Sequence, residues 1–304
     1  MPSVLDQLGK GAHVCLLRLR SLGDCVLTTP AISLLKDYRP DLRIGVAVDP
    51  PFRAIFEGHP DIDDILEPVP LAVLRYRSQL CVNLHGGTRS AWLTAASFAP
   101  LRAGFAHHRF AALYNIRIPR AQQILHEERP VHTAEHLASA MFYLGVPRKD
   151  IPRAHLAAKP VHTSYHYAVL HPNASSPDKT WPAERFLSVA RHLQEHAALV
   201  PVFIGSPADD LSIFAREFRT SQTSLSETKN LIAGASFFLG NDSGPAHMAA
   251  AFGIPLVVLF GNSNPVTWAP WRTAAEVVVA GGGMAQLAVE QVQAAVDRLR
   301  VKAC

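Results

Sequence analysis

The chain has 304 residues, 48% of them hydrophobic and 18% charged, with a net charge of +4. That charge share lies below the usual quarter of a soluble domain, which excludes a disordered polyelectrolyte, and the length is enough for two domains of roughly 150 residues. No run reaches the roughly 18 apolar residues a membrane span needs. Residues 1–11 are too mixed and polar for a signal peptide, so a cytoplasmic protein is expected.

Apolar and polar runs alternate along the first half. Residues 13–19 form an apolar strand that ends in the turn Ser21-Leu-Gly-Asp24. A helix follows to about residue 38, starting just after Asp24 or at Thr29-Pro30. Further strands are expected over 43–48 and 80–84, the latter leading through His85-Gly-Gly87 into a helix over 91–98. Leu137, Met141 and Leu144 give residues 133–144 a helical period. Residues 145–165 carry Pro147, Pro152 and Pro160 with little periodicity, as a linker would.

The alternation then restarts. A strand over 167–170 leads into a polar loop over 171–181, and Phe186, Val189, Ala190 and Leu193 mark one face of a helix over 182–196. A strand over 199–204 and helices over 209–218 and 226–233 precede Phe237-Phe-Leu239. Next come Gly240-Asn-Asp-Ser-Gly-Pro-Ala-His247, a short helix and the apolar run 255–260. A strand over 276–280 and a helix over 286–301, with Leu287, Val292, Val296 and Leu299 inward, complete the chain. Strands alternating with helices in both halves predict an α/β protein of two doubly wound parallel-sheet domains, with ligands in a cleft beyond the strand carboxyl ends. No GxGxxG follows the first strand, so a dinucleotide cofactor is not expected.

Charge and cysteines narrow the chemistry. Between Pro68 and His126 there is no Asp or Glu, while Arg75, Arg77, Arg89, Arg102, Arg109, Arg117 and Arg120 all lie there. The pattern fits scattered solvated arginines or a basic face for an acidic sugar, a phosphate or a membrane surface. Nucleic acid fits less well, because no aromatic residues are interleaved for stacking. Cys15, Cys25, Cys81 and Cys304 have no paired spacing, and Cys15 and Cys81 sit inside apolar runs as buried thiols would in a reducing compartment.

Several residues could carry chemistry. Gly240–His247 forms a turn at a helix start, where backbone N–H groups suit a phosphorylated ligand. Asp242, Ser243 and Gly244 are expected to cap that helix as well, and His247 either packs or meets the ligand. Asp24 fits a first-turn helix acid or a general base for a sugar hydroxyl, with Gly23 permitting a tight turn. In the 171–181 loop, Asn173, Ser175 and Ser176 offer polar donors, and Lys179 a point charge for a leaving diphosphate. Ser176-Pro-Asp-Lys179 matches S-x-x-K without its partner motifs, and Asp-Ser-Gly-Pro lacks the setting of a protease nucleophile. His132-Thr-Ala-Glu-His136 matches the zinc pattern H-x-x-E-H, but no third ligand stands out, and helix-surface histidines account for it better. The loop Gly261-Asn-Ser-Asn through Trp271 could line a nucleotide or sugar pocket, or plug a domain edge.

Taken together, four segments resemble the family 9 glycosyltransferases, whose best-known members are the lipopolysaccharide heptosyltransferases. They are Arg18–Pro30, Val82–Ser90, Lys179-Thr-Trp-Pro182, and Gly240–His247 with Phe260-Gly261. The resemblance implies a GT-B architecture, two Rossmann-like domains facing across a cleft. An acceptor domain over 1–155 would precede a nucleotide-sugar domain over 156–285, with the helix over 286–304 packing back on the first. It implies an inverting transferase that needs no metal and no cofactor, with Asp24 as catalytic base. Asn173, Ser175, Ser176, Lys179, Asp242, Ser243, Gly244 and His247 would bind the donor; Arg18, Arg20, Gly23, His85 and Arg89 would bind the acceptor. The implied donor is ADP-heptose. The implied acceptor is an anionic cell-envelope glycolipid, met at the inner face of the membrane.

The chain departs from the family at Ala174-Ser175-Ser176, where paired threonines are usual. It departs again at Gly205-Ser206-Pro207-Ala208, where a ribose-binding glutamate is usual, and at Gly261-Asn-Ser-Asn in place of Gly-Pro-Thr-Asp. Two other readings share this architecture: a sugar-nucleotide epimerase or hydrolase, which needs no acceptor, and a non-catalytic nucleotide-sugar-binding protein.

Overall fold

A computed structural model describes residues 2–303, and for 300–303 the backbone alone; Cys304 lies outside the described residues. The chain forms two compact units, residues 1–157 and 158–304. In the first unit the strands are β1 (His13–Leu17), β2 (Arg43–Ala47), β3 (Asp64–Leu66), β4 (Leu80–Asn83), β5 (Leu101–Phe105) and β6 (Ile116–Ile118). Its helices are α1 (Leu22–Tyr38), α2 (Pro70–Arg75), α3 (Thr88–Ala96), α4 (Ala121–Leu125) and α5 (Thr133–Leu144). The second unit has β7 (Tyr167–His171), β8 (Val200–Gly205), β9 (Arg219–Gln222), β10 (Phe237–Asn241), β11 (Leu256–Phe260) and β12 (Ala275–Val279). Its helices are α6 (Ala183–Ala197), α7 (Ser212–Ala215), α8 (Leu225–Ala233), α9 (Gly244–Phe252), α10 (Pro265–Trp268) and α11 (Val289–Ala303).

Each unit holds one six-stranded, all-parallel sheet, in the orders β3-β2-β1-β4-β5-β6 and β12-β11-β10-β7-β8-β9. Read from β9, the second order repeats the first, so both sheets have the strand order of a doubly wound nucleotide-binding fold. In such a sheet the chain reverses direction between the first and fourth strands, and loops leaving those strands diverge to open a crevice. The crevices therefore fall at β1/β4 and at β7/β10. The central strands are apolar except at their ends, because helices cover both faces. Cys15 and Cys81, register partners on β1 and β4, are fully buried, and Cys25 is buried in α1.

Several elements differ from expectation. Helix α1 starts at Leu22, before Asp24, because Ser21 and Asp24 form a reciprocal capping box. Gly23 is thus a buried first-turn helical residue and makes no tight turn. Pro30 lies inside α1 and cannot donate to the Val26 carbonyl; the Thr29 hydroxyl donates to it instead at 2.9 Å. The expected 209–218 helix shrinks to α7, and the chain turns into β9. The 145–165 segment has no regular element, yet it is anchored: Ile151, Ala154 and Leu156 are buried, and the His155 N–H donates to Thr29 Oγ1 at 3.0 Å.

The terminal helix is a correction. Val292, Ala295, Val296 and Leu299 are buried in the core of the second unit with Leu170, Trp181, Phe186 and Phe203. The apolar stripe expected to cross to the first unit is consumed by α6, β11 and β12. No helix among the described residues is long and apolar enough to cross a membrane.

Candidate active site

In the first unit, the loop after β1 places Asp24 in the first turn of α1. Arg18 donates to Asp24 Oδ1 at 3.2 Å, and Ser21 donates to Oδ2 from its hydroxyl at 2.9 Å and its backbone N–H at 3.4 Å. Arg18 is 5% exposed and also donates to the Leu84 carbonyl, so one buried guanidinium ties the β1 loop to the β4 loop. Burial lowers the pKa of Arg18, and the Asp24 carboxylate opposes that shift. An ionised carboxylate has about four lone-pair sites, so these donors orient Asp24 without exhausting it. The neighbouring thiol is no rival: burial raises the pKa of Cys25 to about 12.

The β4 loop is set by a residue absent from the expected site. Asn83, fully buried as the last residue of β4, accepts from the N–H groups of His85 and Gly86 at 3.0 Å each. It also donates to Tyr114 Oη at 2.9 Å. His85 is half-buried, with its pKa lowered by burial and then by Arg18, and it bonds the Arg20 backbone. Arg20 itself is exposed. Arg89 pairs with Asp49 at 2.6 Å and donates to the Pro68 carbonyl at 2.9 Å, so it braces the loop after β2.

In the second unit, Asn241 plays the part of Asn83. It is fully buried at the end of β10, accepts from the Trp181 N–H at 3.2 Å and donates to the Pro172 carbonyl at 2.7 Å. These bonds pin both ends of the loop after β7. Lys179 on that loop faces Asp242 at 3.6 Å. Ser243 is the N-cap residue of α9, but its hydroxyl pairs with His171 Nδ1 at 3.0 Å and no side chain caps the helix. The expected caps therefore serve the β7 loop, while the α9 start keeps its positive dipole end. Burial lowers the pKa of His171 to about 4. A neutral imidazole there can accept the serine proton.

Asn173 bonds Asp209, and Ser175 and Ser176 line a hollow of about 510 Å³ with Thr180, Trp181 and Ala183. His247 is 5% exposed and meets Trp268 edge-on at 6.4 Å. Gly261 permits the loop's close approach, since a Cβ there would lie 2.6 Å from the Asp178 carbonyl. Asn264 accepts from the Val266 N–H and caps α10.

The comparisons identify this arrangement. The model of glycosyltransferase family 9 (heptosyltransferase) matches residues 72–294. The chain belongs to glycosyltransferase family 9. It is similar to lipopolysaccharide heptosyltransferase 3 of Escherichia coli K12, at 28% identity over 289 residues and 83% of each chain. The family 9 glycosyl transferase from Veillonella parvula superposes with a TM-score of 0.83 at 21% identity, over 96% of this chain and 98% of that one. The E. coli ADP-heptose LPS heptosyltransferase II superposes at 0.81 and 18% identity, over 96% and 99%. The protein is thus a glycosyltransferase, and its two doubly wound units are those of the GT-B fold.

Three residues that shape this glycosyltransferase's loops were not singled out in the sequence: Asn83, Asn241 and His171. Their signal was a polar residue closing an apolar strand, which becomes informative once strand order is known. The zinc pattern resolves differently. His132 caps α5 by accepting from the Ala134 N–H at 3.1 Å, and Glu135 pairs with Arg129 at 2.7 Å. His136 stacks on Phe105 at 4.1 Å rather than lying on an open helix surface.

Proposed function

We propose that this glycosyltransferase moves heptose from ADP-heptose to a hydroxyl of a lipopolysaccharide-type core, with inversion and without a metal ion. Asp24 accepts the proton as the hydroxyl oxygen attacks the anomeric carbon. The bond to the β-phosphate oxygen breaks, and ADP leaves against Lys179 and the α9 N-terminus. A cation and a helix dipole can hold that charge, which is the work a divalent ion does elsewhere. The reading is supported by the relatives, whose names include heptosyltransferase 3 and ADP-heptose LPS heptosyltransferase II. It is carried above all by Asp24, a carboxylate oriented by Arg18 and Ser21 at the first sheet's reversal point.

The acceptor we propose is an anionic glycolipid presented at the cytoplasmic membrane face, met by the arginine-rich first unit. With ADP-heptose and a purified core acceptor, Asp24→Asn should lower kcat by about 10²- to 10⁴-fold, the usual reach of general base catalysis. ADP affinity should stay the same, and EDTA should leave wild-type turnover unchanged. Wild-type kcat in the variant would remove Asp24 from the reaction. Loss on chelation would remove the metal-free mechanism.

A further inference from the structure

Helices α2 and α3 lie side by side and turn large apolar side chains outward. Leu71 and Leu74 of α2 are 53% and 41% exposed; Trp92 of α3 and Phe98 just beyond it are 59% and 78% exposed. Trp92 borders a hollow of about 430 Å³ with Pro68, Pro70 and Leu93, and Phe98 borders a second of about 300 Å³ with Ala95 and Leu113. Helix α3 borders both hollows, the first through Ala96 and the second through the adjacent Ala95. Soluble surfaces rarely gather such residues in one patch without a partner.

Phe98 has φ +50°. It stands one residue past the α3 C-cap, Ser97, in the left-handed position that glycine fills most readily. An exposed phenylalanine there contributes little to the fold, so its value lies outside the unit.

The surrounding charge selects the partner. The ridge lies within the stretch from Pro68 to His126 that holds no Asp or Glu. Arg75 at the end of α2 and Arg77 just beyond it are exposed; of the acids bordering the ridge, Asp49 is paired with Arg89 at 2.6 Å, which leaves the single exposed Glu67 before Pro68 against the two arginines. A second copy of this chain fits poorly, because a two-fold interface would set this basic patch against itself. A bilayer with anionic headgroups fits on both counts: tryptophan, phenylalanine and leucine enter the interface while arginines meet the headgroups.

We infer that the α2–α3 ridge of Leu71, Leu74, Trp92 and Phe98 docks the enzyme on an anionic lipid surface. The inference builds on the glycolipid acceptor proposed above and names the surface that would bring the enzyme to it. Helix α3 begins directly after the loop that carries His85, and Trp92 and Phe98 follow along the helix and past its far end.

Co-sedimentation of the full chain with phosphatidylglycerol–phosphatidylcholine vesicles, without donor or acceptor, tests the docking apart from the chemistry. The wild type should bind these vesicles more tightly than pure phosphatidylcholine, and less tightly at high salt. Trp92→Ala with Phe98→Gly should weaken binding by roughly tenfold or more, as expected for removal of two interfacial aromatic groups. Phe98→Gly suits its backbone, so the variant should keep its fold and its turnover on a lipid-free acceptor. Leu71→Gln with Leu74→Gln should weaken binding from the neighbouring helix. Unaltered vesicle binding in both variants would overturn the inference. So would equal binding to neutral vesicles, or a concentration-dependent dimer that Trp92→Ala dissolves.

Discussion

Arg18 shows how one side chain converts sequence into site geometry. Its guanidinium reaches Asp24 on one side and the Leu84 carbonyl on the other, from a position 5% exposed. A planar fork can hold both partners at once, whereas a lysine offers a single ammonium point. Arg18→Lys should therefore leave ADP affinity unchanged and lower kcat by about 10- to 100-fold, the scale of a small misplacement of a reacting group. A drop in donor affinity with kcat preserved would show that Arg18 contacts the donor rather than positioning Asp24. Asp24 was already a candidate in the sequence, within Arg18-Leu-Arg-Ser-Leu-Gly-Asp24. The inward turn of Arg18 was not, because its second partner is 66 residues away.

Helix α1 carries its own repair. Pro30 withholds the N–H that the Val26 carbonyl would receive, and Thr29 fills the gap at 2.9 Å. The same hydroxyl oxygen accepts from His155 at 3.0 Å and fastens the 145–165 segment to the helix. Thr29→Val keeps the shape but strands the carbonyl of fully buried Val26 and takes the acceptor from the part-buried His155 N–H, so it should cost about 1–3 kcal/mol. Urea titration measures this, with kcat on the remaining folded enzyme unchanged. A neutral effect on stability would mean that neither bond is held. The amphipathic helix α6 was clear from its period, whereas α1, buried on most sides, offered only capping and breaker signals that pulled its start towards Pro30. Edge strands β3, β6 and β9 are short and carry exposed or half-buried residues, which leaves no apolar run to find.

Across the whole molecule, buried and half-buried histidines set an acid limit. Burial lowers His59, His108, His136 and His171 from the ordinary 6.5 to about 4. Between those values the unfolded chain binds protons that the folded chain refuses, so stability falls as pH drops from 6.5 towards 4 and is unaffected above that window. The lowered carboxylates Asp64 and Glu135 weaken the fold only at still lower pH, near and below their ordinary values of 3.8 and 4.5. Calorimetry from pH 7 to 5 should show Tm declining below about 6.5, and His136→Gln should flatten that decline. A flat wild-type Tm through this range would mean these rings are protonated in the folded state. His136 stood in the sequence inside a zinc pattern, and only the tertiary structure, which packs it against Phe105 and withdraws it from water, shows why its pKa falls.

The sequence by itself determined the alternation of strand and helix, the polar turns at 21–24, 171–181 and 240–244 and their order, because each rests on local periodicity or on neighbours within a few residues. Tertiary structure decided what those turns become. Strand order brings the β1 and β4 loops together in one unit and the β7 and β10 loops in the other, and Asn83 and Asn241 acquire meaning only there. It also decided where α11 packs. Its apolar stripe was plain in the sequence, but an apolar stripe is non-directional, and the vacant surface over α6, β11 and β12 claimed it.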